Sequence, residues 1–547
     1  MYSIKRLPFF KLSTALCILF LFFNGIVSAQ IKDVEWYRIH APFEMPVVTV
    51  PEFPNQSFLI EKYGAVGDGQ TLNTDAFEKT IAACVEAGGG KVVVTPGVWL
   101  TGPIQLKSNI NLEVQQGAII LFTKDRTQYP IIRASKTSTN FQPASPIYGY
   151  DLKNVAITGE GVIDGGGESW RPVKKSKTTE SQWKALRASG GVLSNDSSIW
   201  WPSQAALDGD QFVKDLKSKG TKLTADDLLP ARDFLRPHLV FLVNCENVLI
   251  ENVTIRNSPK FIFYPSKCKN VTLRYATFFN EWWAQNGDAI DISACENVVI
   301  YKCTVSAGDD GICMKSSRGK SDNPNDFNLQ NILIVGCTVY EGHGGFVIGS
   351  NTDGGMRNIF VTDCSFIGTD IGIRVKSNAG RGGIVKDIYI CNISMADIKG
   401  EAISFDTYYE DVPAGAVIDK EKIEVRDKTP MLSDFHISNV SCNGAKKAIE
   451  IIGLPEMPIN KIYFDNITIS ANKGIEITNA TNLDFKKLNI ITGSNPTIAL
   501  RNTKNFVVNE AVYADETKTF IKADKNSGGV KVTSTDFKGN KKAIQQD

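Results

Sequence analysis

The stretch "NVTLRYATF" at residues 270–278 alternates apolar and polar side chains behind an asparagine, and variants of it recur through the second half of the chain. Further copies begin at residues 247, 297, 331, 358, 387, 434, 461, 482 and 505, and the spacing between copies is mostly 21 to 34 residues. Each unit contains short alternating strands broken by Asn, Gly or Asp, with no amphipathic helix between them. The pattern predicts an all-β chain, a right-handed parallel β-helix or solenoid whose coils stack through parallel strands.

The cysteines recur at nearly the same interval as the coils. Six of the ten that follow residue 29 do so: Cys245, Cys268, Cys295, Cys337, Cys364 and Cys391. We interpret most of them as small apolar residues stacked in the core, and not as a disulfide framework. The sequons at Asn252, Asn270 and Asn392 also fall on the repeat, so we read them as strand and turn residues.

Residues 1–29 have a basic start, an apolar stretch and the small-residue ending Val27-Ser28-Ala29. This pattern predicts a secretory signal cut before Gln30, and hence an exported protein, periplasmic or extracellular, with no membrane span. Without that segment the chain has 57 basic and 59 acidic side chains. Such a balance gives no indication of nucleic acid as a partner, and we expect a monomer.

We predict an N-terminal extension over 30–57 and a single β-helix domain over 58–547. Within it, residues 63–102 predict a short capping helix that covers the open end of the β-helix. Thr74 is the predicted N-cap, and the apolar face of that helix comprises Phe77, Ile81 and Val85.

The repeat lapses over 165–236, where the sequence predicts a long, partly helical insertion near the cleft. Four tryptophans are scattered through it, and we take them as a sign that the insertion has a functional role. They are Trp170, Trp183, Trp200 and Trp201.

The coils can be put in register on one strand of each unit. The aligned segments are "DAIDIS" from 288, "DGICMK" from 310, "GGFVIG" from 344, "IGIRVK" from 371, "EAISFD" from 401 and "KAIEII" from 447. In this register Asp288 and Asp310 occupy equivalent positions on neighbouring coils, about 5 Å apart. Asp309 lies one residue earlier, as does His343 on the next coil.

Arg374 and Lys376 are two residues apart on one strand, so both point to the same face as this group. Asp288 and Asp310 share parity with inward-pointing isoleucines, so they reach solvent only if the chain bends before each strand, as Gly287 and Gly308 permit. Clustered carboxylates repel one another, which raises at least one pKa and leaves a protonated acid beside ionised bases. Glycoside hydrolysis needs that arrangement, and the two cations suit an acidic polysaccharide.

Four ordered motifs resemble the signature set of the polygalacturonases of glycoside hydrolase family 28. They are "NGDAIDI" (286–292), "AGDDGICMKS" (307–316), "GHGG" (342–345) and "IRVKS" (373–377). The resemblance extends over about residues 60 to 480. It implies a pectin hydrolase that cleaves α-1,4-linked galacturonic acid with inversion, acting on pectin, polygalacturonan or oligogalacturonides without a metal or other cofactor.

Carried over by position, the resemblance makes Asp309 the general acid, while Asp288 and Asp310 hold the attacking water. His343 tunes the protonation of the acid. The first motif departs from the family pattern, because Gly287 stands where a threonine is usual.

The resemblance also implies substrate-binding residues. Arg374 and Lys376 would grip galacturonate carboxylates at the cleavage point, and Asn286 would shape the site. Tyr408 matches a family tyrosine on a later coil, although Tyr409 competes for that role.

The insertion over 165–236 is long for an enzyme with an open groove, so we expect it to wall off one end of the cleft and make the enzyme exo-acting. One alternative is a rhamnogalacturonan or other branched-pectin hydrolase of the same family. A calcium-dependent pectate lyase shares the β-helix and could use clustered aspartates as ligands. A non-enzymatic β-helical glycan-binding protein would not need the group Asp288, Asp309, Asp310 and His343.

Overall fold

A computed structural model of the chain describes residues 34–136, 138–317, 327–409, 424–425, 427–513, 517–537 and 543–547. The predicted signal at 1–29 lies outside these residues. Contacts divide the chain into two compact units, Met1–Val47 and Val48–Asp547, and in the first a short helix covers residues 34–39. Among the described residues, no helix has the length and apolar character needed to cross a membrane.

The second unit is a parallel β-helix, as predicted, because strands about 25 residues apart in sequence pair in parallel along three sheets. The first sheet, extended by the long strands described below, contains Ser57–Leu59, Gly90–Val94, Ile110–Val114, Lys153–Thr158, Glu246–Glu251, Lys269–Arg274, Glu296–Tyr301, Leu329–Val335, Met356–Thr362, Ile384–Val385 and Lys531–Thr533. The second contains Gly97–Thr101, Ala118–Phe122, Val162–Asp164, Thr254–Arg256, Thr277–Phe279, Thr304–Ala307, Thr338–Glu341 and Ser365–Ile367.

The third sheet carries the clustered carboxylates. It contains Ile104–Gln105, Ile147–Tyr150, Val240–Val243, Phe263–Ser266, Ile290–Ser293, Asp310–Lys315, Gly344–Ile348, Ile373–Lys376, Ile521–Ala523 and Ile544–Gln546. Toward the C-terminus the turns between sheets straighten, and single long strands contribute to two or three sheets. These are Ile388–Asp406, Met431–Ile452, Ile459–Ser470, Lys473–Ile491 and Ile498–Tyr513.

The interior follows from the alternation of each strand, which sends every second side chain inward. The ten described cysteines are all free and nine are buried, as the repeat predicted. Three of them stack along the axis, since the backbone N–H of Cys245 donates to Sγ of Cys268, and that of Cys268 to Sγ of Cys295, both over 3.4 Å.

A second stack is polar and we call it the asparagine ladder. Its members are Asn109, Asn154, Asn247, Asn270, Asn297, Asn331 and Asn358. Each of the later six donates from Nδ2 to Oδ1 of the preceding member over 2.9 to 3.2 Å. All seven have positive φ, between 52° and 61°, a conformation that asparagine tolerates better than other side chains. Asn270 therefore holds the fold together, in agreement with our reading of its sequon.

The predicted capping helix is present as Thr74–Glu86 at the N-terminal end of the sheets. Its N-cap residue is Asn73 and not Thr74, a displacement of one residue. Phe77 and Ile81 are buried against the core, whereas Val85 is 43% exposed, and the buried residue of the last turn is Cys84.

The insertion adds a three-stranded antiparallel sheet of Val173–Lys174, Val192–Leu193 and Ile199–Trp201, and a hairpin of Ile131–Arg133 with Phe141–Pro143 lies next to it in sequence. Its helices are Glu180–Ala188, Gln204–Ser218, Ala225–Leu228 and Arg232–Leu235. The 3-10 turns of the chain are Ile60–Tyr63, Arg126–Gln128, Gly167–Ser169, Lys175–Lys177 and Leu229–Ala231.

Three of the four tryptophans are buried, so they contribute to packing within the structure. Trp170 is fully buried edge-on against Tyr129, with ring centroids 5.0 Å apart. Trp183 and Trp200 are buried together with Val173.

Candidate active site

The register of the third sheet brings the predicted carboxylates together. Ile290 pairs with Ile312, which sets Asp288 opposite Asp310, and Asp310 pairs with Gly344, which sets Asp309 opposite His343. Oxygen atoms from Asp288, Asp309 and Asp310 all lie within 4.8 Å of one another. The predicted alignment of these coils is therefore correct.

The bend required of the two strands is also present. The carboxylate of Asp310 lies 2.7 Å from Nζ of Lys376 and 3.6 Å from Nη1 of Arg374, two side chains that flank inward-pointing Val375. A close approach of Ala284 explains the glycines. A Cβ at Gly308 would come within 2.3 Å of the Ala284 carbonyl oxygen.

Charges around the two buried carboxylates differ. Burial and the neighbouring Asp291 raise the pKa of Asp288 well above its ordinary value, although Lys315, 3.1 Å away, opposes them. Burial would also raise the pKa of Asp310, but Lys376 and Arg374 overcome it and hold that pKa below its usual range. The expected separation into a protonated and an ionised carboxyl is thus present, with Asp288 as the group whose pKa rises.

Asp309 lies in a different environment from its two partners. Its side chain is 18% exposed, whereas those of Asp288 and Asp310 are 5% and 2% exposed. Nδ1 of His343 lies 3.1 Å from Oδ1 of Asp309, and Nε2 of the same ring lies 3.7 Å from Asp370. Asp309 is therefore the carboxyl of the three that a bulky ligand can reach, and Asp370 backs the histidine.

Two buried oxygen atoms of the group have no hydrogen-bond donor within 3.5 Å among the described residues, although Nη1 of Arg374 lies 3.6 Å from the second of them. They are Oδ1 of Asp288 and Oδ1 of Asp310. An ordinary buried carboxylate oxygen accepts a hydrogen bond, and leaving one unpaired costs about 1–3 kcal/mol. Both atoms are therefore available to a donor such as a water molecule.

The tyrosine at the site is Tyr409. Its ring lies 4.8 Å from Nζ of Lys376 and 5.5 Å from the guanidinium of Arg374, which are cation–π distances. Tyr408, the first choice from the sequence, is 2% exposed and packs inside. The assignment to Tyr408 is corrected to its neighbour.

Cationic side chains of the insertion contact the loop that precedes Asp288. Arg171, fully buried, lies 3.3 Å from the carboxylate of Glu281 and 5.5 Å from the ring of Trp283. Nζ of Lys177 lies 4.6 Å from the ring of Trp282. The loop that leads to the carboxylates is thus held by cations of the insertion.

Asn286 is fixed by the last residue of the insertion. Arg236 donates from Nη2 to Oδ1 of Asn286 over 2.8 Å and from Nη1 to the carbonyl of Gln285 over 2.9 Å. Asn286 itself has φ of 53°. Sequence reasoning missed Arg236 because nothing in its local pattern distinguishes it.

Lys315 and Asp291 were also missed, although the aligned segments contain them. Lys315 is the last residue of "DGICMK", at the register position of Lys376 two coils away, and it contacts the carboxylate of Asp291. The signal available in the sequence was a lysine aligned on the strand next to the segment that holds Asp288 and Asp291.

The carboxylate group has the spacing of a metal site but not its charge balance. Among the described residues, Asp288, Asp309 and Asp310 form the one cluster with the spacing of cation ligands. Ca²⁺ requires six to eight oxygen ligands, but the ammonium groups of Lys315 and Lys376 already lie against two of these carboxylates. The charge balance fits acid–base chemistry better than Ca²⁺.

Fold and site together define a glycoside hydrolase built on a parallel β-helix. Residues 231–483 match the model of the glycosyl hydrolases family 28, and these residues include the whole carboxylate group. The chain is similar to that family over this segment.

Relatives of known activity agree with this family. The chain is 27% identical over 454 residues to the exo-poly-alpha-D-galacturonosidase of Dickeya chrysanthemi, covering 80% of this chain and 72% of that protein. It is 27% identical over 411 residues to the endo-polygalacturonase of Pectobacterium carotovorum subsp. carotovorum, covering 74% and 87%. The hyperthermoactive exopolygalacturonase of Thermotoga maritima superposes with a TM-score of 0.66 at 27% identity, covering 85% and 97%.

Proposed function

We propose that the enzyme hydrolyses α-1,4-linked galacturonic acid in polygalacturonan or its oligomers, releasing sugar from a chain end with inversion. The observation that carries the proposal is the carboxylate group beside Arg374 and Lys376. Two cations beside a hydrolytic carboxylate group suit a substrate whose sugars are themselves anionic. The names of the Dickeya and Thermotoga relatives support the same substrate.

Asp309 is the general acid in this proposal. A proton donor must reach the glycosidic oxygen, and the exposed fraction of Asp309 exceeds that of the two buried carboxyls. His343, 3.1 Å away, orients the acid. Asp309 donates its proton to the leaving oxygen as the C1–O bond breaks.

Asp288 and Asp310 hold the attacking water through their unpaired Oδ1 atoms. Asp310, whose pKa is lowered by Lys376 and Arg374 despite its burial, is ionised and accepts the proton that the water loses. Asp288, with its raised pKa, orients the water by hydrogen bonding.

Inversion follows if water, and not a carboxylate, attacks the sugar. The oxygens lie within 4.8 Å of one another, closer than in the usual inverting pair, where the carboxyls are about 6.5–9.5 Å apart. We nevertheless favour inversion because Asp288 and Asp310 are too buried to bond to an anomeric carbon. Proton NMR of the first product should show the β-anomer, and an initial α-anomer would contradict inversion.

Substrate binding is assigned to the cations on the next coils. Arg374 and Lys376 bind galacturonate carboxylates, and the ring of Tyr409 makes cation–π contacts with both cations. Asn286, fixed by Arg236, shapes the site on the other side.

Exo action is proposed from the insertion. Residues 176–197 leave and rejoin the chain at a backbone hydrogen bond of 2.8 Å from Lys175 N–H to the Ser198 carbonyl. Replacing 176–197 with Asn-Gly, a two-residue turn suited to antiparallel ends, should open the cleft and yield oligomers. Release of monomer alone by the shortened enzyme would exclude this segment as the wall, and the lysine variant Lys177→Gln is the milder control.

The substrate is tested by the products from de-esterified polygalacturonan, with and without chelator. We expect saturated galacturonic acid in both conditions. Activity only on rhamnose-containing pectin would overturn the substrate and retain the hydrolase. An unsaturated product that disappears with chelator would indicate a lyase.

Export and the monomeric state belong to the proposal as well. The basic, apolar and small-residue succession of 1–29 supports a signal sequence. N-terminal sequencing of the exported protein should begin at Gln30, and light scattering should give the mass of one chain.

A further inference from the structure

An aromatic surface lies on the two coils that precede Asp288 on the outer side of the third sheet. Phe263 pairs with Ile290, so Phe261 stands one coil from Asp288 at the same register position. The ring of His238 lies tilted against those of Phe261 and Tyr264, with centroids 4.7 Å and 4.5 Å apart and interplanar angles of 40° and 39°. We call His238, Phe261 and Tyr264 the aromatic surface.

Three cations border this surface. One is Lys315, whose Nζ lies 4.9 Å from the centroid of Phe261. The other two, Lys260 and Arg236, have no carboxylate partner within 4.0 Å among the described residues. Nζ of Lys260 lies 5.2 Å from the centroid of Phe261, and Arg236 donates to the Gln285 carbonyl and to Asn286. Most other cations of the cleft are paired with carboxylates, as Lys315 is with Asp288. Arg236 also donates from Nη1 to the carbonyl of Pro259, the residue before Lys260, over 3.5 Å. Two neighbouring, partly buried cations without a carboxylate partner are favourable only when an anion joins them.

Their electrostatics agree with this reading. Burial and Arg236 lower the pKa of Lys260, while Asp288 and Asp291 partly oppose the shift. Burial and Arg171 lower the pKa of Arg236 to about 10. Both cations therefore stand close to the carboxylate group without pairing with it, and an added anion would relieve their mutual repulsion.

His238 supplies an independent polar signal. It is 7% exposed, and its Nδ1 atom has no hydrogen-bond partner among the described residues. Burial and the charges of Lys260, Lys315 and Arg236 lower the pKa of its ring well below the usual range, so the ring is neutral and can accept or donate one hydrogen bond.

We propose that the aromatic surface, with Lys260 and Arg236, is a subsite for a second uronic acid of the substrate chain. The apolar face of the sugar ring packs on Phe261 and Tyr264, and its carboxylate lies between Lys260 and Arg236. Lys260 occupies the register position of Asp309 two coils away, about 10 Å along the axis. The inference rests on the proposed function, because it extends the same acidic chain beyond the cleaved bond.

The test compares Lys260→Gln and Phe261→Leu with the wild type. Lys269→Gln is the matched control, since Lys269 is an exposed lysine of the first sheet. Turnover of trigalacturonate gives kcat and KM. Calorimetry of trigalacturonate and its methyl ester is performed in the Asp309→Asn background, where slow turnover does not interfere.

We expect KM and Kd for trigalacturonate to rise about tenfold in Lys260→Gln, the range of a charge-assisted hydrogen bond, with kcat nearly unchanged. Kd for the methyl ester should not change in Lys260→Gln, but should rise in Phe261→Leu, and Lys269→Gln should match the wild type throughout.

If the wild type turns over trigalacturonate and Lys260→Gln changes neither KM nor Kd, the subsite is overturned and the proposed function is left intact. If the wild type does not turn over trigalacturonate but Lys260→Gln still raises its Kd, the proposed function is overturned and the uronate subsite is retained. An unchanged Kd for the methyl ester in Phe261→Leu would remove the aromatic part of the proposal.

Discussion

The asparagine ladder and the carboxylate group lie in the same coils but solve the problem of buried polar atoms in opposite ways. In the ladder one residue type recurs, and each amide satisfies the next over 2.9 to 3.2 Å. In the third sheet the matched positions hold Lys260, Gly287, Asp309 and His343, and buried oxygens stay without a donor. A register position that keeps the same residue type from coil to coil stabilises the solenoid. A register position at which the residue type changes indicates a functional site.

The largest expected effect is that of Asp310→Asn. Removing this charge deprives the water of its base and leaves Lys376 buried without its carboxylate, so we expect kcat on polygalacturonan to fall by about 10³. Asp363→Asn is the matched control, because Asp363 accepts from Asn392 elsewhere in the coils and its substitution should leave kcat unchanged. An equal fall in kcat for Asp310→Asn and Asp363→Asn would contradict the distinction between the carboxylate group and the rest of the coils.

Next is Asn297→Ala in the ladder. It removes the partner of Asn270 and Asn331 and puts alanine at φ of 57°, so we expect a loss of about 2–4 kcal/mol in the free energy of unfolding. Thermal and denaturant melts measure this loss, and kcat should be unchanged. Asn297→Gly relieves the backbone strain and should cost less; an equal cost would assign the whole effect to the amide.

Asp288→Asn should separate stability from activity. A carboxyl whose folded pKa is raised favours folding below its unfolded pKa and disfavours it increasingly as the pH rises toward the folded value. At pH 7 the amide therefore avoids the cost of a buried charge, and the melting temperature should rise by about 2 °C or more while activity is lost. The gain should shrink toward pH 4. A lower melting temperature at pH 7 would mean that the ion pair with Lys315 outweighs burial.

The smallest effect concerns the two tyrosines. Tyr409→Ala should raise KM about three- to tenfold through loss of the cation–π contacts with Lys376 and Arg374. Tyr408→Ala should lower the melting temperature instead, because Tyr408 is buried. Steady-state kinetics and melts on both variants distinguish them, and the reverse pattern would restore Tyr408 as the contact residue.

Much of this was predictable because repetition carries the information. The alignment of coils fixed the register, and with it the meeting of Asp288, Asp309, Asp310 and His343. Glycines ahead of two strands indicated the bend that releases the carboxylates from the core.

Unrepeated residues were the ones that sequence could not place. Arg236 and Lys260 lie at the ends of irregular segments, where no alternation states which way a side chain points. Tyr408 and Tyr409 follow the end of a strand, so parity could not choose between them. The packing of Trp183 and Trp200 with Val173 could not be predicted, because composition does not show a small separate core.

The most direct test of the account is the initial rate of reducing-sugar release from de-esterified polygalacturonan by the wild type and Asp309→Asn, each with excess chelator. The account predicts an undiminished wild-type rate and a rate at least about 10²-fold lower for Asp309→Asn, with equal melting temperatures. A wild-type rate abolished by chelator, or an Asp309→Asn rate equal to that of the wild type, would contradict it.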